Sequence, residues 1–247
     1  MHSPVEQFAI KVLFALNLFG FDIQFTNSSL FMVLAVLVSS GFLFMAMKPA
    51  AVVPGRMQGL AEMLYEFVAD MVRSNVGSEG KPYFPFIFTL FIFVLFSNLL
   101  GLIPYSYTTT SQIVVTFAMA IFIFLGVTVI ALIKHGLHFF SFFVPAGAPK
   151  VLIPFLVLIE VISYFVRPVS LSVRLFANML AGHTMLKVFG GLAVMIASAG
   201  GIFVAGSLLP LIAIIGLTGL EILVAVLQAY VFTILTCMYL NDALHLH

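Results

Sequence analysis

The sequence predicts an all-α membrane protein with about five membrane helices and a surface amphipathic helix, whose last two helices are long, tilted and form an antiparallel hairpin. Only 8% of its 247 residues are charged, and 63% are hydrophobic. Soluble domains carry about 25% charged residues, so this chain cannot cover itself with a solvated surface. Because no linker-like or low-complexity tract divides the apolar runs, we expect one polytopic membrane domain over residues 1–247.

Charge and cysteine content exclude several classes of function. The net charge of +1 is uninformative about nucleic acid, and because the sequence has no basic tract we expect no nucleic-acid partner. The single cysteine, Cys237, lies in an apolar run, so it can form neither an internal disulfide nor a cysteine metal cluster. The sequence has no glycine-rich phosphate loop ending in GK[ST], and we expect neither a nucleotide site nor a cofactor nor a metal.

Residues 1–28 are interpreted as an N-terminal interfacial segment. Polar and apolar residues alternate at roughly helical spacing over residues 4–19, which predicts a short helix lying at the membrane surface. The segment lacks a basic first region and a small-residue cleavage site, so we do not expect a signal peptide. The first membrane span follows over residues 29–47, which is about the length that a bilayer requires.

An amphipathic helix is predicted over residues 54–76. Apolar residues recur there at helical spacing, and the opposite face carries charged residues: Arg56, Glu62, Glu66, Asp70 and Arg73. This helix is too polar to span a membrane, so we expect it to lie on the surface. Its charged face either meets another subunit or is simply solvated.

A helical hairpin is predicted over residues 83–134. Its two apolar spans are joined by a polar turn over residues 105–112, which carries no lysine or arginine. Lysine and arginine favour cytoplasmic loops, and they are concentrated in the segments 48–81 and 134–150. Five spans then place the N-terminus outside and the C-terminus in the cytoplasm or in a mitochondrial matrix.

A long, tilted hairpin is predicted over residues 150–240. As a helix, the apolar run from 150 to 189 would extend about 60 Å, twice the hydrocarbon thickness of a bilayer. It must therefore tilt or bend, and Pro168 can supply a bend. A glycine-rich turn follows, and the second run, over residues 207–240, is also longer than one upright span.

Unusual polar residues are concentrated between residues 160 and 183. Arg167 and Arg174 lie there at bilayer depth, where a charged group costs about 2.5–3.5 kcal/mol on insertion scales. At about 100° per residue, one helix face carries a polar stripe with Ser170 beside it: Glu160, Arg167, Arg174 and Asn178. His183 is expected to face the last helix, which carries a second polar stripe: Glu221, Gln228 and Tyr239.

Most of these residues also have a simpler interpretation. A single glutamine or serine in a membrane usually forms only a hydrogen bond between helices, and Tyr239 can be an interface anchor. Arg167 can pair with Glu160 or extend its side chain to water. Arg174 is harder to explain in this way, because no acid in the chain is obviously assigned to it.

The combination of groups suits proton transfer. Arginine stays protonated at physiological pH, so it cannot relay a proton, but it attracts a carboxylate and favours the ionised form of that carboxylate. The titratable groups can accept and pass protons when water reaches them: Glu160, His183 and Glu221. A fixed cation beside a titratable relay is typical of a proton path with a gate. The carboxylate that visits the gate would have to come from a partner.

Several stretches of the chain resemble subunit a of the F-type ATP synthases. They are NLLGLIP from Asn98, IPFLVLIEVIS from Ile153, RPVSLSVRLFANMLAGH from Arg167 and LEILVAVLQAYVFTILTCMYLNDALH from Leu220. The resemblance implies a few upright spans, a surface helix and a tilted hairpin packed against a rotating ring. The partners implied are the proteolipid c-ring, the b subunits of the peripheral stalk, the rest of the ATP synthase and membrane lipid.

The resemblance also implies a role for each polar residue. Arg174 matches the essential arginine that faces the ring carboxylate, whereas Arg167 receives no essential role. The proton path is assigned to the half-channel residues Asn178, Gln228 and Tyr239, to Ser170, and to Glu160, His183 and Glu221 on the inlet side. The commoner bacterial pattern has an acid at position 183 and a histidine at position 221. The exchange found here, as in mitochondrial-type members, is expected if the two side chains meet across the hairpin.

The function expected from the sequence is that of a non-catalytic, proton-translocating stator subunit of a rotary ATP synthase. We expect it in a bacterial inner membrane, with the mitochondrial inner membrane as the alternative. One rival is an ion-coupled secondary transporter or channel, which predicts two related halves that the sequence does not show. The other is a sodium-translocating version of the same subunit, because ion choice depends largely on ring ligands that this chain does not contain.

Overall fold

The computed structural model describes residues 10, 12–18, 21–48, 51–103, 106–144, 152–201 and 203–245. In this part of the chain the regular elements are two strands, β1 (Val12–Leu18) and β2 (Phe21–Thr26), and the helices α1 (Asn27–Ala46), α2 (Arg56–Asn75), α3 (Phe84–Gly101), α4 (Ile113–His135), α5 (Ile153–Ser198), α6 (Phe203–Gly206) and α7 (Leu208–Leu244). Short 3-10 helices span Gly77–Tyr83, Thr109–Ser111 and Gly136–Phe143. Among the described residues, five helical segments are long and apolar enough to cross a membrane, which confirms the predicted fold class.

The N-terminal segment departs from the prediction. β1 pairs antiparallel with β2, and Asn17 lies opposite Asp22. The surface helix expected over residues 4–19 is therefore wrong over Val12–Leu18, and the residues before Ile10 lie outside the described part of the chain. The polar residues that suggested a helical stripe all precede β1, whereas β1 itself is apolar at six of its seven positions. A strand pair satisfies the backbone of such a segment without needing a polar face. The interfacial position of residues 1–28 stays a prediction.

Helix α2 has the amphipathic pattern that the sequence predicts. Its buried residues lie at helical spacing on one side: Ala61, Val68, Met71 and Val72. The five charged residues of the opposite face are all exposed. After α2 ends, Gly77 adopts a φ of +77°, a left-handed conformation that favours glycine and lets the chain turn into the following 3-10 helix. The position of α2 on a membrane surface stays a prediction.

The described residues group into two compact units. The first unit comprises Met1–Phe42, Ile92–Gln112 and Leu175–Ala229, and the second comprises Leu43–Phe91, Ile113–Arg174 and Tyr230–His247. In the first unit α1 packs on α3, with the rings of Phe42 and Phe96 centred 5.5 Å apart. The single domain expected over residues 1–247 stays a prediction.

Aromatic contacts hold the helices of the second unit together. The Tyr65 and Phe84 rings, centred 4.8 Å apart, join α2 to the start of α3. The Phe124 and Tyr164 rings, also centred 4.8 Å apart, join α4 to α5. The Tyr164 hydroxyl lies 2.7 Å from the Thr128 hydroxyl, which itself donates to the Phe124 carbonyl. Tyr164 therefore donates to Thr128, and its polar end is satisfied within the apolar contact.

Helices α5 and α7 are the two overlong helices that the sequence predicts. α5 has 46 residues, with Pro168 inside it, and α7 has 37 residues. At 1.5 Å per residue these are lengths of about 69 Å and 56 Å, so neither helix can stand upright in a hydrocarbon core about 30 Å thick. α5 continues past the end expected at residue 189 and runs through two glycines to Ser198. The reversal falls at Gly200 and Gly201, whose φ angles are +70° and +57°.

An ion pair joins α5 to the end of α7 in the second unit. Arg167 Nη1 donates to Asp242 Oδ2 at 2.9 Å. The guanidinium carbon also lies 5.5 Å from the centre of the Tyr164 ring and 5.2 Å from that of Tyr239, distances suited to cation–π attraction. We call these four residues the Arg167 clasp. It gives Arg167 an acidic partner other than Glu160, the one considered from the sequence.

We expect the Arg167 clasp to stabilise the folded protein through its ion pair. Arg167→Gln or Asp242→Asn alone leaves one charge without its partner and should lower the free energy of unfolding by about 1–2 kcal/mol. The double substitution removes both charges and should cost no more than the worse single one. Thermal denaturation of the purified, detergent-solubilised protein measures these differences. Additive losses in the double variant would contradict a direct pairing.

Candidate functional site

A buried histidine–glutamate pair lies between α5 and α7 in the first unit. His183 Nδ1 and Glu221 Oε1 are 3.4 Å apart, and their side chains are only 12% and 5% exposed. The two residues meet across the two long helices, as expected from the exchange of residue types at positions 183 and 221. A separation of 3.4 Å is too long for a good hydrogen bond. A shift of about 0.5 Å would bring the two atoms into hydrogen-bond range.

Gly182 permits the close approach of Glu221 to α5. A Cβ atom at position 182 would lie 2.7 Å from Glu221 Oε1 and 3.2 Å from its Cδ. Real Cβ atoms essentially never make contacts this short, so any larger residue at this position would displace the carboxyl group. Because Gly182 has no side chain, Glu221 of α7 can lie against α5 beside His183, the residue that follows Gly182.

The other side of His183 contacts the polar segment that follows α3. His183 Nε2 lies 2.9 Å from Thr108 Oγ1, and Thr108 Oγ1 lies 3.2 Å from the Gly101 carbonyl, to which it can donate. The whole stretch from Thr108 to Ser111 is buried, with at most 4% of each residue exposed. The sequence predicted only a turn here and missed Thr108. The available signal was a run of hydroxyl residues with no charge among them.

Further polar groups lie buried along α3 and α7. Asn98 is fully buried and donates from Nδ2 to the carbonyl of Ala225, one turn after Glu221, at 3.1 Å. Gln228 is 8% exposed and follows three residues later. Within the described part of the chain, Asn98 Oδ1 is buried without a hydrogen-bond partner, as are the side-chain oxygens of Ser97 and Thr110. Polar groups in a membrane interior need such partners, so this region is suited to binding water. Asn98 begins the NLLGLIP stretch of the family resemblance, but the sequence did not indicate it as a site residue.

Arg174 lies near the middle of α5, in the second unit. Its side chain is exposed, and among the described residues it makes no hydrogen bond or ion pair. Asn178, one turn later on the same helix, is also exposed, as is Ser170, one turn earlier. Tyr239 is half-buried and contacts Arg167 in the Arg167 clasp.

Glu160 lies on α5, the helix that also carries His183. It precedes His183 by 23 residues on the unbroken helix α5. That number of residues rises about 34 Å along a helix, comparable to the thickness of the hydrocarbon core. The grouping of Glu160 with His183 and Glu221 at one inlet stays a prediction, which this spacing along α5 does not favour. A shared helix face puts side chains in one direction but leaves them at different depths.

No metal centre is indicated in the part of the chain that the structure describes. A group of three or more His, Cys, Asp or Glu residues placed to hold a metal ion does not occur there. His183 and Glu221 are two such residues, and their buried neighbours are amides and hydroxyls, which exchange hydrogen bonds rather than bind transition metals.

The fold and this site together define a polytopic membrane protein with a buried, titratable pair between its longest helices. The chain belongs to the ATP synthase A chain family, whose model matches residues 29–241. It is 54% identical to ATP synthase subunit a of Rhodospirillum rubrum over 247 residues, which is the full length of both chains.

Two further relatives give the same result. ATP synthase subunit a of Parvibaculum lavamentivorans is 55% identical over 98% of this chain and 94% of its own length. That of Rhizobium rhizogenes is 53% identical over 99% of this chain and 98% of its own length. The chain is thus a multi-pass bacterial membrane protein and the proton-channel subunit of an F-type ATP synthase, a non-catalytic part of that complex.

We expect Gly182→Ala to impair proton transport by displacing Glu221. Overpacking by one methyl group costs about 1–3 kcal/mol. Here the atom that the added methyl group would displace is Glu221 Oε1, which faces His183. ATP synthesis driven by a proton gradient, measured in membranes and divided by the amount of assembled complex, should fall about tenfold. Gly190→Ala is the matched control on α5, because a Cβ there meets nothing within 4 Å. Equal rates for the two variants would show that the contact is unimportant.

Proposed function

We propose that this chain is the stator subunit that gives two aqueous half-channels to the carboxylates of a rotating proteolipid ring. The observation that carries the proposal is Arg174, an exposed arginine in the middle of the longest apolar helix with no ion-pair partner among the described residues. An arginine that stays charged in such a position needs a mobile anionic partner or water. A ring carboxylate that arrives and leaves supplies that partner.

The outer half-channel is proposed to contain His183 and Glu221. The segment after α3 carries no lysine or arginine, so the distribution of positive charge favours the outer side for it. Thr108 of that segment contacts His183, which supports a path from outer water to the pair. Asn178 and Gln228 are proposed to line this path. The unsatisfied buried oxygens of neighbouring residues are suited to holding water along it.

The inner half-channel is proposed to contain Glu160, Ser170 and Tyr239. α5 begins after the lysine-containing segment 134–150, which the same rule assigns to the inner side. Glu160 lies in the second turn of the helix and is half-buried. In this arrangement the titratable groups form two sets. Along α5, Glu160 of the inner set precedes Arg174, and His183 of the outer set follows it.

Arg174 is proposed to act as the gate between the half-channels. Its positive charge favours ionisation of a ring carboxylate, so a protonated carboxyl group that reaches it releases its proton inward. The same fixed cation repels a hydrated proton and prevents direct leakage. One charge crossing 100 mV gains about 2.3 kcal/mol, so several protons must be summed mechanically for each ATP.

The ring is proposed to pack on the face of α5 that carries Arg174. Small exposed residues recur on this helix at Ala177 and Ala181, and they let a neighbouring helix approach closely.

The exposed charged face of α2 is a proposed contact for the b subunits of the peripheral stalk, and membrane lipid covers the remaining apolar surface. We propose the bacterial inner membrane as the location, since the relatives are bacterial.

Two rival functions make different predictions. An ion-coupled secondary transporter needs two related halves with broken helices, whereas α5 and α7 are long and continuous. A sodium-translocating version of the same subunit would use the same architecture. It differs in the ring ligands, which belong to another chain.

We expect Arg174→Ala to reduce ATP synthesis in membranes to background. Without the cation, the ring carboxylate is no longer driven to release its proton, and the half-channels are no longer separated. Passive proton leakage through the membrane sector should rise at the same time. Lys48→Ala, which removes an exposed charge just after α1, is the control and should leave both rates unchanged. Normal ATP synthesis by Arg174→Ala membranes would refute the gate.

Purification of the native complex separates a stator subunit from a transporter. If the chain works against a ring, mild detergent extraction through an affinity tag on this chain should bring down a proteolipid of small mass in several copies. A transporter should purify alone or as a homo-oligomer. Protein mass spectrometry and gel densitometry give the identity and relative amounts of the chains.

A further inference from the structure

We infer that Thr108 is a positioning residue that fixes which nitrogen of His183 carries the proton. This inference rests on the proposed function, since it concerns proton transfer within the His183–Glu221 pair. Thr108 lies on the segment after α3, at the opposite side of the imidazole from Glu221. It is buried and has no titratable group of its own, so it acts through His183.

Two contacts of one hydroxyl carry the inference. Thr108 Oγ1 lies 2.9 Å from His183 Nε2 and 3.2 Å from the Gly101 carbonyl oxygen. A hydroxyl has a single hydrogen to donate, and a carbonyl can only accept. Both hydrogen bonds form together only when the hydrogen of Thr108 goes to Gly101 and the oxygen of Thr108 accepts. The proton between Thr108 and His183 then belongs to Nε2.

The position of the hydroxyl is itself closely determined. A Cβ atom at position 101 would lie 2.6 Å from Thr108 Cγ2 and 2.9 Å from its Oγ1, so only glycine allows Thr108 to reach this carbonyl. Ser106 Oγ lies 2.7 Å from the Leu100 carbonyl oxygen and 3.1 Å from that of Gly101, to either of which it can donate, and it ties the same segment to the end of α3. The segment cannot turn the hydroxyl elsewhere without breaking these contacts.

With hydrogen on Nε2, the neutral imidazole presents the lone pair of Nδ1 to Glu221. A proton on the Glu221 carboxyl group can then pass to Nδ1, which breaks one O–H bond and forms one N–H bond. The products are a carboxylate and an imidazolium, and the reverse step restores the starting pair without another reactant. In the opposite tautomer, Nδ1 already holds a hydrogen and cannot accept the proton of Glu221. Thr108 thus keeps the pair ready to exchange one proton.

The groups around His183 leave this pair as the titrating centre. Glu221 faces it from α7, and Lys187, one turn later on α5, is close enough for its charge to act on the imidazole. Neither α1 nor α3 has a titratable residue. The segment after α3 contributes only Tyr107, and burial raises the pKa of its phenol, which therefore stays neutral.

The test compares Thr108→Val, which removes the hydroxyl at nearly constant volume, with Thr108→Ser, which keeps it. Both are made in the whole ATP synthase, and proton-driven ATP synthesis is measured in membrane vesicles from about pH 6 to pH 9, across the range in which histidine titrates. Rates are divided by the amount of assembled complex. Thr109→Val, which removes the next buried hydroxyl of the same segment, is the matched control.

We expect Thr108→Val to be about tenfold slower than the unmodified complex at alkaline pH, as for other losses of a partner that orients a histidine. The deficit should shrink as the pH falls, because an imidazolium has hydrogen on both nitrogens and no tautomer to choose. Thr108→Ser and Thr109→Val should keep rates near that of the unmodified complex. If the valine variant does not assemble, Thr108→Ala removes the same hydroxyl without adding bulk and takes its place.

Three results would overturn the inference. They are an unchanged alkaline rate in Thr108→Val, a deficit that does not vary with pH, and a serine variant as slow as the valine variant. Arg174→Ala, measured in the same vesicles, separates this inference from the proposed function. If Arg174→Ala is inactive while Thr108→Val is unaffected, the role of Thr108 fails alone; if Arg174→Ala is active, the proposed function fails.

Discussion

A polar group inside an apolar protein must find a partner, because neither lipid nor hydrocarbon side chains can replace its hydrogen bonds to water. This constraint accounts for several of the side-chain contacts between helices in the described part of the chain. Arg167 is held by Asp242 and two tyrosine rings, and His183 is held between Thr108 and Glu221. The membrane-spanning helices are otherwise largely apolar, so these polar contacts help to distinguish one packing of the helices from another.

Glycine makes the closest of these contacts possible. At Gly182 and Gly101 the space that a Cβ atom would fill is taken by an oxygen of Glu221 and by the side chain of Thr108. Both glycines lie in or at the end of helices, where the residue costs about 1 kcal/mol relative to alanine. Their conformational freedom is not used, since neither has a positive φ. Instead, the missing side chains let Glu221 lie against the backbone of α5 and Thr108 against the end of α3.

The proposed gate for proton transport is a charged group without an ion-pair partner among the described residues. Arg174 is exposed in the middle of α5, and the proposed ring carboxylate satisfies it only for part of each revolution. The great length of α5 allows the titratable groups to be placed in two sets, because Glu160 and His183 are separated by about 34 Å of helix. A single cluster at one depth would offer protons no separate inlet and outlet.

The sequence by itself determined the membrane class, the five apolar helices, the amphipathic face of α2 and the overlong final pair, since length and hydropathy depend on residue type alone. The meeting of residues 183 and 221 was expected from the family resemblance, through the exchange of their types. Only the tertiary structure decided that Thr108 contacts His183 and that Asn98 donates to the carbonyl of Ala225, one turn after Glu221. Helical periodicity gives the direction of a side chain but not its neighbours on other elements, which depend on how the helices pack. The N-terminal hairpin was missed for a related reason: a strand is stabilised by pairing with a second segment, which the pattern within one segment does not reveal.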